Sequence, residues 1–429
     1  MELFYFRADG LSVLFMIVIT VVFVCSFIHS LEYFETEREH IKRFYACFFL
    51  TYGALMLLSC AGSLITFYLC YELMTLLSLP LVLHEQSHEA LIAGLKYLFY
   101  SLCGAYMALL GLFFLSRYAQ GFEFRPGGIL DMSACEGHES LLLTVLFFMI
   151  LGFSVKAGMF PMHAWLDTAH PIAPAPASAI LSGVIVKSGV LGIIRTIYYV
   201  FGAEFFSGSP VQTILIILSL ITVFMGSMLA YRERILKRRL AYSTVSQLSY
   251  ILFGIFIMDE RALEGSLLHI IAHAFIKSAL FLTAGALIRC TGRVEVSGYK
   301  GLGKELSGLM WCYTFCALSL TGIPPTGGFT SKWYLAVGAL SSGVRVFRYL
   351  GPVVLLVSAL LTAGYLFPIS VSAFFPGEAE DRAELLKKPG PLMLAPILVL
   401  TVLAVLIGIF PAPVESQLER IISMMGVAG

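Results

Sequence analysis

Residues 267–282 read LLHIIAHAFIKSALFL, an apolar run interrupted by Ser278 and by three ionisable residues, His269, His273 and Lys277. The apolar character extends from about residue 264 to residue 289, which is long enough to cross a bilayer as a helix. The three ionisable residues recur at i, i+4 and i+8, so a helix stacks them on one stripe as a ladder through the membrane. A charged side chain at the centre of a span costs roughly 2.5–3.5 kcal/mol on insertion scales. Such residues therefore need an aqueous cavity, a partner or a function, and histidine near neutral pH can both accept and pass a proton.

The rest of the chain repeats the pattern. Its 429 residues are 59% hydrophobic and 13% charged, where a soluble domain carries about 25% charged residues. Apolar spans are predicted at about 11–33, 43–60, 61–83, 90–116, 140–160, 176–200, 211–230, 240–258, 264–289, 307–340 with an interruption, 350–375 and 391–412. Polar punctuation between them is short, so no soluble domain is expected. The chain reads as an all-α polytopic membrane protein with about twelve transmembrane helices. The run from Leu11 to Phe27 is followed by no small-residue cleavage site and reads as an uncleaved span. A net charge of +1 gives no field favouring nucleic acid. Nine scattered cysteines without a CxxC pair argue against an iron–sulfur cluster, and no glycine-rich phosphate motif appears. No cofactor and no redox centre are expected.

Several further ionisable residues fall inside spans. Glu72 lies in the middle of LITFYLCYELMTLLSLPLVL (64–83). Lys156 is followed by Gly158 and Pro161, which interrupt a helix. Lys187 is central in AILSGVIVKSGVLGII (179–194). Lys332 follows TGIPPTGGFTSK, where Pro324 and Pro325 among glycines make a second break. A lysine beside a broken helix thus occurs twice, the hint of two related halves that transporters carry, with discontinuous helices at corresponding positions. For a single lysine a structural ion pair competes evenly with a functional role; for the whole set the cost of burial favours an ion path. Lys96 and Arg195, near span ends, are expected to snorkel to the interface. His163, Asp167 and His170 in MHAWLDTAHP have spacings compatible with a metal site, but the prolines and the membrane edge favour a capped loop or a proton-uptake route; no metal is expected.

At these motifs the sequence resembles the antiporter-like membrane subunits shared by respiratory complex I (NADH:quinone oxidoreductase), Mrp-type Na+/H+ antiporters and energy-converting membrane hydrogenases. The resemblance runs from ADGLS (8–12) through YELMTLLSLPL, KAGMFPMHAWLDTAHPIAPAPASAILSG, KRRLAYSTVSQLSY and HIIAHAFIKSALFLTAGALI to GIPPTGGFTSKWYL. It implies two inverted-repeat half-channels, at about 43–200 and 211–375, each with a broken helix, in a single transmembrane domain flanked by helices 11–33 and 391–412. It implies Glu72 and Lys156 as the glutamate–lysine pair of the first half-channel and Lys187 as the bridging lysine. It implies His269, His273 and Lys277 as the central polar axis and Lys332 as the lysine of the second half-channel. The resemblance implies that members usually carry two helices before the ADGLS-like segment, and some a long lateral helix after the position corresponding to residue 429.

The functional expectation is a proton-translocating, or Na+/H+ exchanging, subunit without catalytic chemistry of its own. Its expected partners are other membrane subunits of a larger complex, homologous antiporter-like subunits and a redox module among them, with H+ or Na+ as the transported ion. Glu72 is expected to hold Lys156 protonated until a neighbouring charge changes, after which the proton passes to Lys187 and along His273, His269 and Lys277 to Lys332. The rivals are a stand-alone cation/proton antiporter, a quinone-binding oxidoreductase subunit and a non-pumping scaffold. Basic residues in short loops stay cytoplasmic. They gather in loops holding Arg38, Lys42 and Arg43, the 232–239 cluster, the 289–304 cluster, and Arg382, Lys387 and Lys388. The other side, with Arg7, Arg117, Arg125, Arg261, Arg345, Arg348 and Arg420, holds fewer. Both termini are accordingly expected on the outer face of the cell inner membrane.

Overall fold

The computed structural model describes residues 4–35, 39–344, 346–377 and 385–426; Arg38, Arg345 and Arg382 lie outside them. Among these residues helices predominate, with β contacts limited to isolated bridges. In hydrocarbon every backbone polar group has to be satisfied within its own segment, which leaves the helix as the default for twelve apolar runs.

The helices in order are α1 (Gly10–Tyr33), α2 (Ile41–Ser59), α3 (Leu64–Val82), α4 (His88–Tyr118), α5 (Glu139–Ala157) and the short α6 (Leu166–Ile172). Next come α7 (Ala175–Phe201), α8 (Pro210–Arg232), α9 (Leu236–Ile257) and α10 (Glu260–Thr291). Then follow α11 (Ser307–Thr321), α12 (Gly327–Ser341), α13 (Phe347–Phe374), α14 (Pro391–Ile409) and α15 (Ala412–Met424). Eleven of them are long and apolar enough to cross a membrane singly. The 15-residue helices α11 and α12 are each about 22 Å long and together make the twelfth crossing. An even number of crossings returns the chain to its starting face, and a Cβ on Gly10, at the start of α1, would meet the Ile421 side chain of α15.

Both predicted breaks are present, and they are traversed in opposite directions. α5 descends from the face bearing the termini and stops at Gly158, whose φ is 68°. α11 rises from the opposite face and stops at Gly322, whose φ is 92°. Both backbones take the left-handed conformation that glycine adopts without a Cβ penalty, which ends a helix with its last carbonyls turned back on themselves. Opposite traversal is the geometry of inverted repeats.

Three helices, α7, α9 and α10, sit almost wholly inside the protein, while α2, α4, α13 and α14 turn most of their surface outward. The inner three carry most of the ionisable ladder. Close packing relies on small residues, since lipid supplies no hydrophobic drive between helices. At the α4–α5 crossing a Cβ on Gly104 would stand 2.5 Å from the Gly152 carbonyl, and one on Gly152 would stand 2.4 Å from the Gly104 carbonyl.

α1 ties the first half to the C-terminal flanking helix by its two ends. Asp9 caps its N-terminus, accepting from the Ser12 amide at 2.8 Å, and receives Arg195 of α7 through two guanidinium nitrogens at 2.5 and 2.9 Å. Near the other end Glu32 accepts from the Gly390 amide at 2.5 Å and the Met393 amide at 3.1 Å, a carboxylate on the N-terminus of α14. Just beyond, Lys387 donates to Glu35 at 2.7 Å, and this hydrogen bond with its charge holds the exposed Glu35 carboxyl below its usual range. Arg195 therefore does not snorkel. It is 1% exposed because α7 delivers it against the start of α1 before it reaches the interface.

The pair is asymmetric, since the Asp9 side chain keeps 25% of its exposure and Arg195 only 2%. Stranding a buried charge costs about 3–5 kcal/mol. Asp9→Asn should lower stability by that order and Arg195→Met by clearly less, measured as chemical denaturation in detergent. Equal losses would mean that the contact acts through packing rather than charge.

Candidate functional site

In the first half the site is built around the end of α5. Lys156 is fully buried and its ammonium donates to the Tyr97 hydroxyl at 2.5 Å and to Ser101 Oγ at 2.9 Å, both on α4. The same ammonium stands 3.9 Å from the Tyr97 ring centroid, a cation–π contact that helps solvate the charge. Tyr97 continues to Ser78 of α3, Oη to Oγ 2.7 Å. The carbonyls left open where α5 stops are served by Trp165, whose indole N–H donates to the Val155 carbonyl at 2.7 Å. Lys156 is thereby free to reach across to α4.

Glu72 of α3 is half-buried, and its Oε1 is buried without a hydrogen-bond partner. Among the described residues no ion pair within 4 Å joins it to Lys156, whose hydrogen bonds go to Tyr97 and Ser101. The expected glutamate–lysine pair is thus a neighbourhood of two charges rather than a contact, with the Lys156 amine solvated by hydroxyls.

α5 then meets α7. A Cβ on Gly189 would stand 2.4 Å from the Phe153 carbonyl and 2.9 Å from Lys156 Cβ, so Lys156 and the backbone two residues past Lys187 are in contact. Lys187 follows a π-helical turn, Leu181–Ile185, of the kind that interrupts helices at functional sites. Its ammonium donates to the Ser182 carbonyl at 2.8 Å and lies 2.8 Å from His273 Nδ1 on α10. The His273 and His269 rings are 5.8 Å apart. His269 Nδ1 is 2.8 Å from Ser331 Oγ on α12, next to Lys332. The second ring nitrogen of each histidine, Nε2, is buried and unpartnered, a polar environment where ordered water is expected.

Lys332 stands at the second break. Its ammonium donates to the Leu320 and Thr321 carbonyls at 2.6 and 3.2 Å, capping the C-terminus of α11 where the helix dipole favours a cation, and lies 4.7 Å from the Tyr250 ring centroid. Lys277 takes a different direction from the one expected. It donates to the Leu240 carbonyl at 2.9 Å and closely to Ser243 Oγ, both on α9, toward the face opposite the termini. The row reads Lys187, His273, His269, Ser331, Lys332, and Lys277 branches from it.

His163, Asp167 and His170 do not converge. Asp167 accepts from the Tyr242 hydroxyl at 2.9 Å and faces Lys96 at 3.5 Å, so Lys96 is an ion-pair partner rather than a snorkelling residue. His170 stacks on Phe281 at 4.6 Å with both ring nitrogens buried and unpartnered. Sequence reasoning missed Tyr97, Ser101, Ser182, Ser243, Ser331 and Trp165. The one legible signal was the density of hydroxyl and amide residues in YSTVSQLSY (242–250), unusual for a buried span.

Residues 61–362 match the family described as NADH:quinone oxidoreductase/Mrp antiporter, TM, and residues 3–45 match the one described as NADH-Ubiquinone oxidoreductase (complex I), chain 5 N-terminus. The chain is 33% identical over 397 residues to NADH-quinone oxidoreductase subunit N of Desulforudis audaxviator, covering 89% of this chain and 77% of that one. It is 27% identical over 409 residues to a Na(+)/H(+) antiporter subunit of Alkalihalophilus pseudofirmus, covering 95% and 80%. Against Hydrogenase-4 component B of Escherichia coli it is 30% identical over 347 residues and spans half of that protein's length. The fold matches a chain of the Mrp complex from Dietzia at a TM-score of 0.83 with 19% identity, covering 99% of this chain and 86% of that one. It matches a chain of respiratory complex I from Thermus thermophilus at 0.80 with 22% identity and the same coverage. These structural neighbours are multi-subunit membrane assemblies. On the extent of the family match and the 33% identity, the chain belongs to the family of antiporter-like membrane subunits of NADH:quinone oxidoreductase and Mrp antiporters.

Proposed function

We propose that the chain is the ion-translocating subunit of a larger energy-converting membrane complex and that it moves protons along the buried row from Lys156 to Lys332. The observation that carries this reading is the pair of contacts Lys187–His273 and His269–Ser331, with Lys187 and both histidines on the enclosed helices α7 and α10 and the Nε2 of each ring unpartnered. Ammonium and imidazole groups linked by hydroxyls suit proton transfer; sodium needs several oxygen ligands held together, which this row does not offer. Glu72 acts at a distance, changing the field at Lys156 without a direct contact. The two breaks support half-channels of about 43–200 and 211–375, and the distribution of basic loops supports termini on the outer face of the cell inner membrane. A redox module and homologous subunits are the partners this reading calls for, as the names of the relatives suggest.

The test is ion movement in proteoliposomes containing the complex purified through this chain, with its driving reaction started and pH and sodium both followed. Wild type should build a proton gradient and Lys156→Ala should not, with the complex still assembled. Equal gradients would overturn the reading in favour of a scaffold.

The Lys187–His273 contact gives a second test. Lys187→Met and His273→Phe should each slow proton movement, and the double variant should lose no more than the worse single, a coupling of about 0.5–3 kcal/mol for residues sharing one interaction. Additive losses would place the two residues in separate steps.

A further inference from the structure

On the face bearing the termini, a cavity of about 280 Å³ opens beside the start of α10, lined by Glu260, Arg261, Glu264, Glu419, Ile422 and Ser423. Glu260 has an ordinary explanation, since a carboxylate in the first turn of a helix is favoured by the helix dipole. Glu264 does not. It lies one turn deeper, is 3% exposed, and uses only one oxygen: Oε2 accepts from Arg261 Nη1 at 2.9 Å, while Oε1 is buried without a partner. A buried carboxylate oxygen left open carries a desolvation cost that a proton or a water would relieve.

The backbone beside Glu264 touches the helix that holds the row, since a Cβ on Gly265 would stand 3.0 Å from the Ser331 carbonyl of α12. Ser331 and Tyr334 are i and i+3 on α12 and so share a face. Ser331 holds His269, and Tyr334 packs beside Gly265 and under the Arg261 guanidinium, 5.8 Å from its ring centroid. The Tyr334 hydroxyl donates to Glu415 Oε1 of α15 at 2.5 Å. Along the helix axes the His269–Ser331 level lies five residues from Glu264 on α10 and three from Tyr334 on α12, about 7.5 and 4.5 Å of rise. The groups facing this level are Glu260, Arg261 and Glu264 from α10, Tyr334 and the neighbouring Lys332 from α12, and Glu415 and Glu419 from α15. At the cavity itself Glu260, Glu264 and Glu419 stand against Arg261 alone, an excess of negative charge that concentrates cations.

We propose that Glu264 is the last protonatable group of the ion path on the face bearing the termini, exchanging its proton with water through this carboxylate-lined cavity. The inference rests on the proton-translocating reading above and adds its end point. The transfer is proton exchange alone: Glu264 Oε1 takes a proton arriving from the His269–Ser331 level and releases it to water in the cavity, with no bond between heavier atoms made or broken.

The experiment compares Glu264→Gln, Glu264→Asp and Lys156→Ala in the complex reconstituted in proteoliposomes, recording the initial rate of proton movement against the pH on the side of the termini. Arg261 is 55% exposed and stays solvated when its partner loses charge, so the Gln variant should assemble. Glu264→Gln should slow movement several-fold and flatten its dependence on that pH, and Glu264→Asp should restore most of both. Wild-type rate and pH dependence in Glu264→Gln, with Lys156→Ala inactive, would overturn the assignment of Glu264 and leave the ion path standing. Equal losses in the Gln and Asp variants with an unaltered pH profile would assign Glu264 a structural role and also overturn it. Normal movement in Lys156→Ala would remove the path, and this end point with it.

Discussion

An ammonium group inside a membrane has to be solvated by the protein, and that requirement organises this chain around the spaces between α5, α7, α9, α10 and α12. Water is not available by default, and each unsatisfied charge costs several kcal/mol in hydrocarbon. The protein answers with hydroxyls, carbonyls, aromatic faces and imidazoles rather than with carboxylate pairs: Tyr97 and Ser101 for Lys156, the Ser182 carbonyl and His273 for Lys187, Leu240 and Ser243 for Lys277, helix-end carbonyls for Lys332. Neutral partners solvate a cation without fixing it as firmly as a buried ion pair would. A group held this way can lose its proton without leaving an opposite charge stranded.

The one tight buried ion pair described in these helices shows the contrast. Arg195 and Asp9 meet through two short hydrogen bonds away from the lysine row, where the chain needs a fixed joint between α1 and α7. A guanidinium does not give up its proton under ordinary conditions, so such a pair suits a staple and not a relay. Structural and titrating roles are separated by side-chain chemistry as much as by position.

Hydropathy alone located the twelve crossings, and glycine and proline located both breaks, because span length and helix interruption are properties of a local stretch. The burial of Lys156, Lys187 and Lys277 was equally legible, since each falls well inside an apolar span. What sequence could not give is azimuth, the side of the helix that faces a given neighbour. Lys96 and Arg195, near span ends, read as snorkelling residues, yet the packing of α4 against α6 and of α7 against α1 turns them onto Asp167 and Asp9. Lys277 shares its stripe with His269 and His273, yet it turns to α9, where the Leu240 carbonyl and Ser243 receive it. Glu264 was hidden for a related reason: at the edge of a span it looks like an interfacial charge until α12 and α15 close over it.

The two breaks look alike in sequence but are finished differently. In the first, Trp165 takes an end carbonyl of α5 and leaves the Lys156 ammonium to the α4 hydroxyls. In the second, Lys332 itself caps α11, and no indole substitutes for it among the described contacts. Moving a proton off Lys332 would weaken the cap of α11, whereas moving one off Lys156 leaves the cap of α5 intact. Charge and backbone geometry are therefore coupled at the second break and uncoupled at the first. At Lys332, unlike Lys156, a change of charge on the ammonium would also bear on how the broken helix ends.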